Sequence, residues 1–96
     1  MLHTLSRSPQ GGADLATLSA LVRPGDALVL LQDGVLCALD GTAALATLRA
    51  LPVTLHLLQA DVQARGLAAY LAPESVLIDY TQFVALSAAH PRQMAW

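Results

Sequence analysis

The chain has a single cysteine, Cys37, whose thiol is the one side chain able to carry sulfur as a persulfide. Cys37 follows the apolar run 27–31, near a predicted helix start, where a thiolate is favoured and a lowered pKa makes a reactive nucleophile. Its neighbours in sequence are all apolar, and no histidine lies close to it. Free cysteine is commonly buried as a small apolar residue. Cys37 is therefore a weak candidate catalytic residue, with a core position as the alternative.

Three histidines, His3, His56 and His90, are also candidates for binding a metal ion. His3 and His56 lie in apolar runs that predict strands, but a metal site needs three or four ligands and no third ligand has suggestive spacing. His90 precedes Pro91, where a capping or partner-contacting role suits it better than catalysis. We therefore predict structural histidines, with no metal and no cofactor.

A turn formed by Asp33 and Gly34 directly follows the second apolar run, at the end of a strand where parallel sheets bind ligands and partners. A glycine there permits close approach of another backbone, although Asp-Gly is common in turns. The chain has no phosphate-binding glycine loop, no nucleophile elbow and no zinc-protease helix motif. The residues alone do not indicate an enzyme, and Asp33 and Gly34 are candidate partner-contacting residues.

The final stretch, HPRQMAW, contains residue types that are enriched at interfaces, among them Met94 and the only tryptophan, Trp96. Tyr80 and Phe83 lie on the helix predicted just before it. A terminus that frays seldom needs an aromatic residue. Two interpretations stay open, since Trp96 can cover the edge of its own sheet or pack across an interface. We take Tyr80, Phe83, His90, Met94 and Trp96 as candidate partner-contacting residues.

Four apolar runs alternate with helical patterns and must position these side chains. The runs lie at 1–5, 27–31, 53–58 and 75–78. The last helix begins at Asp79 and Gln82, which form a variant capping box. The alternation predicts one α/β domain over residues 1–96, with an open parallel sheet of about four strands flanked by helices on both faces. By analogy with flavodoxin-like folds we expect strand order 2-1-3-4, which makes the strands of His3 and His56 neighbours.

Composition points to association with other chains. Hydrophobic residues make up 55% of the chain and charged residues 12%, against general averages of roughly 45–50% and about 25%. A small domain has a high ratio of surface to volume, so some apolar side chains must stay on its surface, as at partner sites. The five basic residues are scattered arginines in a chain of net charge -2, so we expect no direct nucleic-acid binding.

The compartment is indicated by the cysteine count and by short apolar runs. One cysteine permits no disulfide within the chain, which suits a reducing compartment. No basic stretch followed by a long apolar run marks a signal peptide. The longest apolar runs have about six residues, whereas a membrane-spanning helix needs about 20. We expect a cytoplasmic protein without membrane association.

Five segments together resemble the TusB/DsrH family: MLHTLSRSP, DALVLLQDGV, ARGL, VLIDYTQFV and HPRQMAW. The resemblance runs from Met1 to Trp96. The opening Leu-His-Thr, the Leu-Leu-Gln-Asp-Gly turn and the closing His-Pro-x-Gln-Met-Ala-Trp are specific in combination. The ending makes the chain more similar to the TusB branch than to the DsrH branch.

The resemblance implies a small α/β fold and a non-catalytic subunit of a cytoplasmic sulfurtransferase complex. TusB-like chains assemble with TusC-like and TusD-like subunits in a heterohexamer. That complex passes sulfur through a TusE-like carrier for 2-thiolation of the tRNA wobble uridine. The family's sulfur-bearing cysteine lies after the third strand of the TusD-like subunit, whereas the comparable region here, 57–61, has none. Cys37 also differs in position from the first-helix cysteine of some DsrH-type members.

Three alternatives stay open beside this reading. The chain could be a DsrH-like subunit, whose complex serves sulfur oxidation instead of tRNA thiolation. A persulfide carrier would use Cys37 and requires an accessible thiol with a lowered pKa. A homo-oligomeric binding module would assemble without any other chain.

Overall fold

A computed structural model describes all residues, 1–96, as five strands and four α-helices joined by turns and two 3₁₀ helices. The strands are β1 (Leu2–Leu5), β2 (Ala27–Leu30), β3 (Leu55–Leu58), β4 (Val76–Ile78) and β5 (Gln93–Ala95). The α-helices are α1 (Leu15–Leu21), α2 (Ala43–Arg49), α3 (Gln59–Ala64) and α4 (Tyr80–Ala89). The 3₁₀ helices are Gln32–Ala38 and Ala68–Tyr70. The predicted α/β class with a parallel sheet is confirmed.

The five strands form one parallel sheet in the order β4-β3-β2-β1-β5. Each of the first three crossovers moves one strand in the same direction, so right-handed connections place their helices on one face. The last connection returns across the whole sheet to the other edge, so α4 lies on the opposite face. Both faces are therefore covered by helices.

The core divides into two clusters because successive strand residues point to opposite faces. The larger cluster lies under α1, α2, α3 and the first 3₁₀ helix, and its strand residues are Leu5, Leu28, Leu30, Leu55 and Leu57. The smaller cluster faces α4, and its members are Leu2, Ala27, Val29, Leu58 and Ile78. β2 is buried along its whole length because it contributes to both clusters.

Helix α4 begins as its sequence predicts. The Asp79 carboxylate accepts a hydrogen bond from the Gln82 backbone N–H at 2.7 Å, and the Gln82 side chain accepts one from the Asp79 N–H at 2.8 Å. This reciprocal capping box satisfies two backbone donors that the first helical turn leaves unpaired. It fixes where α4 leaves the sheet and hence which side chains face outward.

The expected strand order was wrong, and the sheet has five strands where about four were expected. Order 2-1-3-4 places β1 between β2 and β3, whereas in the structure β2 lies between β1 and β3. The second side of β1 is taken by the C-terminal residues Gln93–Ala95, which form a fifth strand. The strands of His3 and His56 are therefore not neighbours, because β2 lies between them. His3 pairs in register with Leu28 of β2, and His56 pairs with Val29 of β2.

The helices all lack the length and the apolar character that a membrane-spanning segment requires.

Candidate partner interface

The turn after β2 is held by charged side chains of neighbouring elements. Gln32 has a left-handed backbone with φ of +50°, and its N–H donates a hydrogen bond to the Asp61 carboxylate at 2.6 Å. Asp33 projects outward with 63% of its side chain exposed, and Arg65 pairs with it at 2.8 Å. An exposed ion pair of this kind adds little stability, so Asp33 remains free to exchange partners.

Gly34 is buried directly behind this turn. A Cβ placed on it would lie 1.9 Å from the Leu5 carbonyl oxygen, a distance that no side chain tolerates. The Gly34 N–H donates to the Leu31 carbonyl oxygen at 2.9 Å. The backbone that approaches Gly34 is therefore the chain's own β1, and glycine is required there for packing.

Cys37 lies in the first 3₁₀ helix as a fully buried member of the larger core cluster. Its Sγ donates a weak hydrogen bond to the Arg7 carbonyl oxygen at 3.6 Å. Burial disfavours the charged thiolate and raises the pKa of Cys37 to about 11. The accessible thiol with a lowered pKa that a persulfide carrier requires is not present.

The three histidines do not come together. No group of three or more His, Cys, Asp or Glu side chains in the chain is arranged to hold a metal ion. His56 is half-buried on the α4 side of the sheet, and its Nδ1 is buried without a hydrogen-bond partner. His90 ends α4, and its backbone N–H donates to the Ser87 carbonyl oxygen at 3.3 Å.

His3 is fully buried at the centre of a polar network. Its Nε2 lies 3.0 Å from the Asp26 carboxylate, and its Nδ1 accepts a hydrogen bond from the Trp96 indole at 3.2 Å. The other Asp26 oxygen accepts from the Met1 ammonium at 2.9 Å. That ammonium, the Arg23 backbone N–H and His3 together hold the pKa of Asp26 well below its ordinary range.

The C-terminal residues pack on their own domain as the edge strand β5. The Leu2 N–H donates to the Arg92 carbonyl oxygen at 2.9 Å, and the Trp96 N–H donates to the Thr4 carbonyl oxygen at 2.8 Å. Trp96 is half-buried against the larger core cluster, and its ring lies at a tilt to His3. Met94 stays 38% exposed on the same face.

Helix α4 presents apolar side chains on both of its sides. Phe83 is half-buried against the smaller core cluster, whereas Tyr80 and Val84 project outward with 60% and 66% exposure. Not one of its ten residues is charged. Exposed faces of surface helices usually carry charged or polar side chains. The outer side of α4 therefore has the character of a contact surface.

An exposed strand edge lies next to the start of this helix. In β4, Val76 and Leu77 are 41% and 38% exposed because no further strand covers them. Unpaired edges with apolar side chains are surfaces on which other chains dock. Val76 lies on the same face of the sheet as α4, whereas Leu77 points to the opposite face. We call Val76, Tyr80 and Val84 the α4/β4 patch. Sequence analysis missed Val76 and Val84, although the absence of charge from residues 80–89 is a readable signal.

The candidate groups differ in how much of them a binding partner could reach. The only thiol is buried, the only fully buried imidazole is bonded on both ring nitrogens, and the exposed candidates are a carboxylate and apolar side chains. The candidate residues also lie apart. Asp33 and Gly34 are at the carboxyl end of β2, Tyr80 and Phe83 on α4, and Met94 and Trp96 on the far edge.

Solved structures show where this fold occurs elsewhere. A crystal structure of the ychN protein from E. coli matches with a TM-score of 0.75 at 15% identity, covering 99% of this chain and 97% of that one. A solution structure of a Thermotoga maritima protein matches with a TM-score of 0.62 at 22% identity, covering 96% and 97%. At such low identity the likeness concerns the fold alone.

Sequence comparison gives a closer assignment. Residues 7–93 match the family described as DsrH like protein. The chain is 51% identical over 96 residues to the protein named TusB of Sodalis glossinidius, and 50% identical to that of Escherichia coli. Each match covers all of this chain and all of the relative. With the same parallel α/β fold and matches over its full length, this chain belongs to the TusB/DsrH family.

Proposed function

We propose that the chain is a non-catalytic subunit of a cytoplasmic sulfurtransferase complex. In this proposal TusC-like and TusD-like subunits assemble with it into a heterohexamer. The complex passes sulfur to a TusE-like carrier for 2-thiolation of the tRNA wobble uridine. The name TusB of relatives that are about half identical over the full length supports this assignment.

The observation that carries the non-catalytic role is the burial of the only cysteine. Sulfur relay needs a thiolate that can attack and carry a persulfide. With a pKa of about 11, roughly one Cys37 thiol in ten thousand is ionised at pH 7, and none of its surface is exposed. In this proposal sulfur is therefore carried by a cysteine of another subunit.

The α4/β4 patch supports the subunit role. Its three side chains are between 41% and 66% exposed, and helix α4 has no charged residue that would favour water. A partner over this patch would remove apolar surface from water.

Sulfur oxidation is the second candidate because the matching family is described as DsrH like protein. The two pathways share the proposed subunit role and differ in the final sulfur acceptor. In neither does this chain contact nucleic acid directly, a proposal supported by its net charge of -2 and its scattered arginines.

Affinity purification from the native cells, followed by native mass spectrometry, tests the subunit role. We expect recovery with two similar small chains, two copies of each. The Cys37→Ala variant serves as the matched control and should recover the same partners. Recovery of the tagged chain alone, as a monomer or a homo-oligomer, would contradict the proposal.

Deletion of the gene tests the pathway. We expect loss of 2-thiouridine from bulk tRNA, measured by nucleoside mass spectrometry, and its restoration by both the wild-type gene and Cys37→Ala. Normal 2-thiouridine together with impaired oxidation of reduced sulfur would select the second candidate. Failure of Cys37→Ala to restore the modification, with the protein present at wild-type levels, would overturn the non-catalytic role.

A further inference from the structure

A cavity lies at the amino ends of β1 and β5, at the opposite end of the sheet from Asp33. Its volume is about 400 Å³, and it opens between the end of α1 and the edge strand β5. It is lined by Met1, Leu21, Arg23, Asp26, Arg92 and Met94. The proposed contact surface on α4 does not account for it, and only Arg92 and Met94 of its lining belong to the C-terminal stretch HPRQMAW.

Two unpaired cations flank this cavity. Arg23 and Arg92 are exposed, and neither guanidinium takes part in an ion pair or a side-chain hydrogen bond, whereas Arg49 binds Glu74 at 2.7 Å. The one carboxylate of the lining, Asp26, is already engaged by the Met1 ammonium, His3 and a backbone N–H. The cavity therefore has positive charge without a counterpart, in a chain whose net charge is negative.

The walls between these cations are apolar. Leu21, Met1 and Met94 are 44%, 39% and 38% exposed, so each has free apolar surface on the cavity side of the fold. Methionine side chains adapt to ligands of irregular shape. A site with apolar walls and two guanidiniums suits a ligand that carries a carboxylate beside an apolar group.

The outer edge of β5, next to the cavity, has no neighbouring strand. The Leu2 N–H donates to the Arg92 carbonyl oxygen, and the Trp96 N–H donates to the Thr4 carbonyl oxygen. The even-numbered residues of the tail therefore direct their backbone N–H and C=O groups towards β1. In a parallel ladder the alternate residues, Gln93 and Ala95, direct their N–H and C=O groups away from β1, where no further strand lies. An extended polypeptide beside β5 would satisfy these groups.

We propose that this cavity binds an extended acidic segment of a partner protein. A carboxylate of the segment lies between Arg23 and Arg92, and an adjacent apolar side chain contacts Leu21 and Met94. Two guanidiniums facing one carboxylate give charge-assisted hydrogen bonds, and the apolar walls exclude water from them. The inference depends on the cavity and the β5 edge and does not rest on the proposed function.

Titration of the purified chain with a blocked peptide, acetyl-Leu-Glu-Leu-Glu-Leu-amide, tests the proposal. We expect saturable binding with a Kd below about 1 mM that weakens as salt is raised. Fluorescence of Trp96, the only tryptophan, reports binding because it follows β5 directly. The matched peptide with Gln in place of both Glu residues should bind at least about tenfold more weakly.

Variants assign the binding to the cavity. Arg23→Gln and Arg92→Gln should each weaken binding of the acidic peptide about tenfold, because each removes one charge-assisted partner. Arg7→Gln is the matched control, since Arg7 is exposed, has no ion pair and lies outside the cavity. We expect less than about a twofold change for it. Unaltered circular dichroism spectra show that all three variants are folded.

Three outcomes would overturn the proposal. The first is no binding of the acidic peptide up to about 1 mM. The second is equal weakening by all three arginine variants, which indicates nonspecific charge attraction. The third is tight binding of inorganic phosphate, lost in both cavity variants, with no binding of the peptide, which identifies a small-anion site instead of a polypeptide site.

Discussion

The indole N–H of Trp96 donates a hydrogen bond to Nδ1 of His3 at 3.2 Å, joining the last residue to the first strand. An indole N–H can only donate, so Nδ1 carries the lone pair and Nε2 carries the proton that it donates to Asp26. The orientation and tautomer of a fully buried histidine are therefore fixed by two residues far from it in sequence. The edge strand β5 is held by this contact as well as by its backbone ladder.

Trp96→Phe removes the hydrogen bond while keeping an aromatic ring at this position. We expect a loss of about 1–3 kcal/mol in the free energy of unfolding, because Nδ1 of His3 becomes a buried acceptor without a donor. Trp96→Ala should cost more, since contacts of the ring with the larger core cluster also disappear. Urea unfolding followed by circular dichroism measures both. Equal stability of Trp96→Phe and the wild type would show that the bond contributes nothing.

Asp26→Asn tests the polar network at the amino ends of the strands. The Asp26 carboxylate accepts from the Met1 ammonium, His3 and the Arg23 N–H, and its replacement should cost about 1–3 kcal/mol at pH 7. Asp40→Asn is the matched control, because Asp40 is 60% exposed and has only a 3.9 Å ion pair. We expect a loss below about 0.5 kcal/mol for it.

The same carboxylate predicts how stability depends on pH. Because the pKa of Asp26 is lowered in the folded chain, the unfolded chain binds its proton first. The stabilisation is present above about pH 4, the ordinary value for aspartate, and is lost progressively as pH falls below it. Urea unfolding between about pH 2 and 5 should show a smaller slope for Asp26→Asn than for the wild type. Parallel curves would contradict the assignment.

Gly34→Ala tests the close approach of the turn after β2 to β1. The added Cβ meets the Leu5 carbonyl oxygen, a backbone atom that cannot move aside, so we expect a cost of about 3 kcal/mol or more, or failure to fold. Gly25→Ala is the control, because Gly25 has φ of +91° but no atom within 4 Å of the position that an added Cβ would take. It should cost about 1–2 kcal/mol. Thermal unfolding of both variants distinguishes steric clash from backbone strain.

Cys37 should be almost inert in the folded chain. Its burial and its pKa of about 11 predict that labelling by a disulfide reagent at pH 8 is at least about 100-fold slower than labelling of the urea-unfolded chain. The unfolded chain provides the control for reagent quality. Fast labelling under native conditions would return Cys37 to the list of possible sulfur carriers.

Val84→Arg tests the α4/β4 patch as a contact surface. Val84 is 66% exposed, so the change should alter the free energy of unfolding by less than about 0.5 kcal/mol while placing a charge in the contact. We expect loss of partner chains in native mass spectrometry. Ala46→Arg, also exposed but on α2, should keep them. Retention of partners by Val84→Arg would exclude this patch.

Local sequence patterns were sufficient for the elements that depend on local interactions. The apolar run 27–31 predicted β2, which spans Ala27–Leu30. Asp79 with Gln82 predicted the start of α4, since capping involves residues only three positions apart. The α/β class followed from the alternation of these elements. Family membership also followed from the sequence, because its short motifs lie in fixed order along the whole chain.

Long-range pairing decided everything else. The tail residues Gln93–Ala95 have no local feature that selects β1 as their neighbour. No local feature places β2 between β1 and β3 either, and that position of β2 separates His3 from His56. Burial of Cys37, the clash that requires glycine at position 34, and the unpaired charges around the cavity likewise arise from contacts between distant segments. Such contacts are selected by the packing of the whole sheet, which no local sequence pattern encodes.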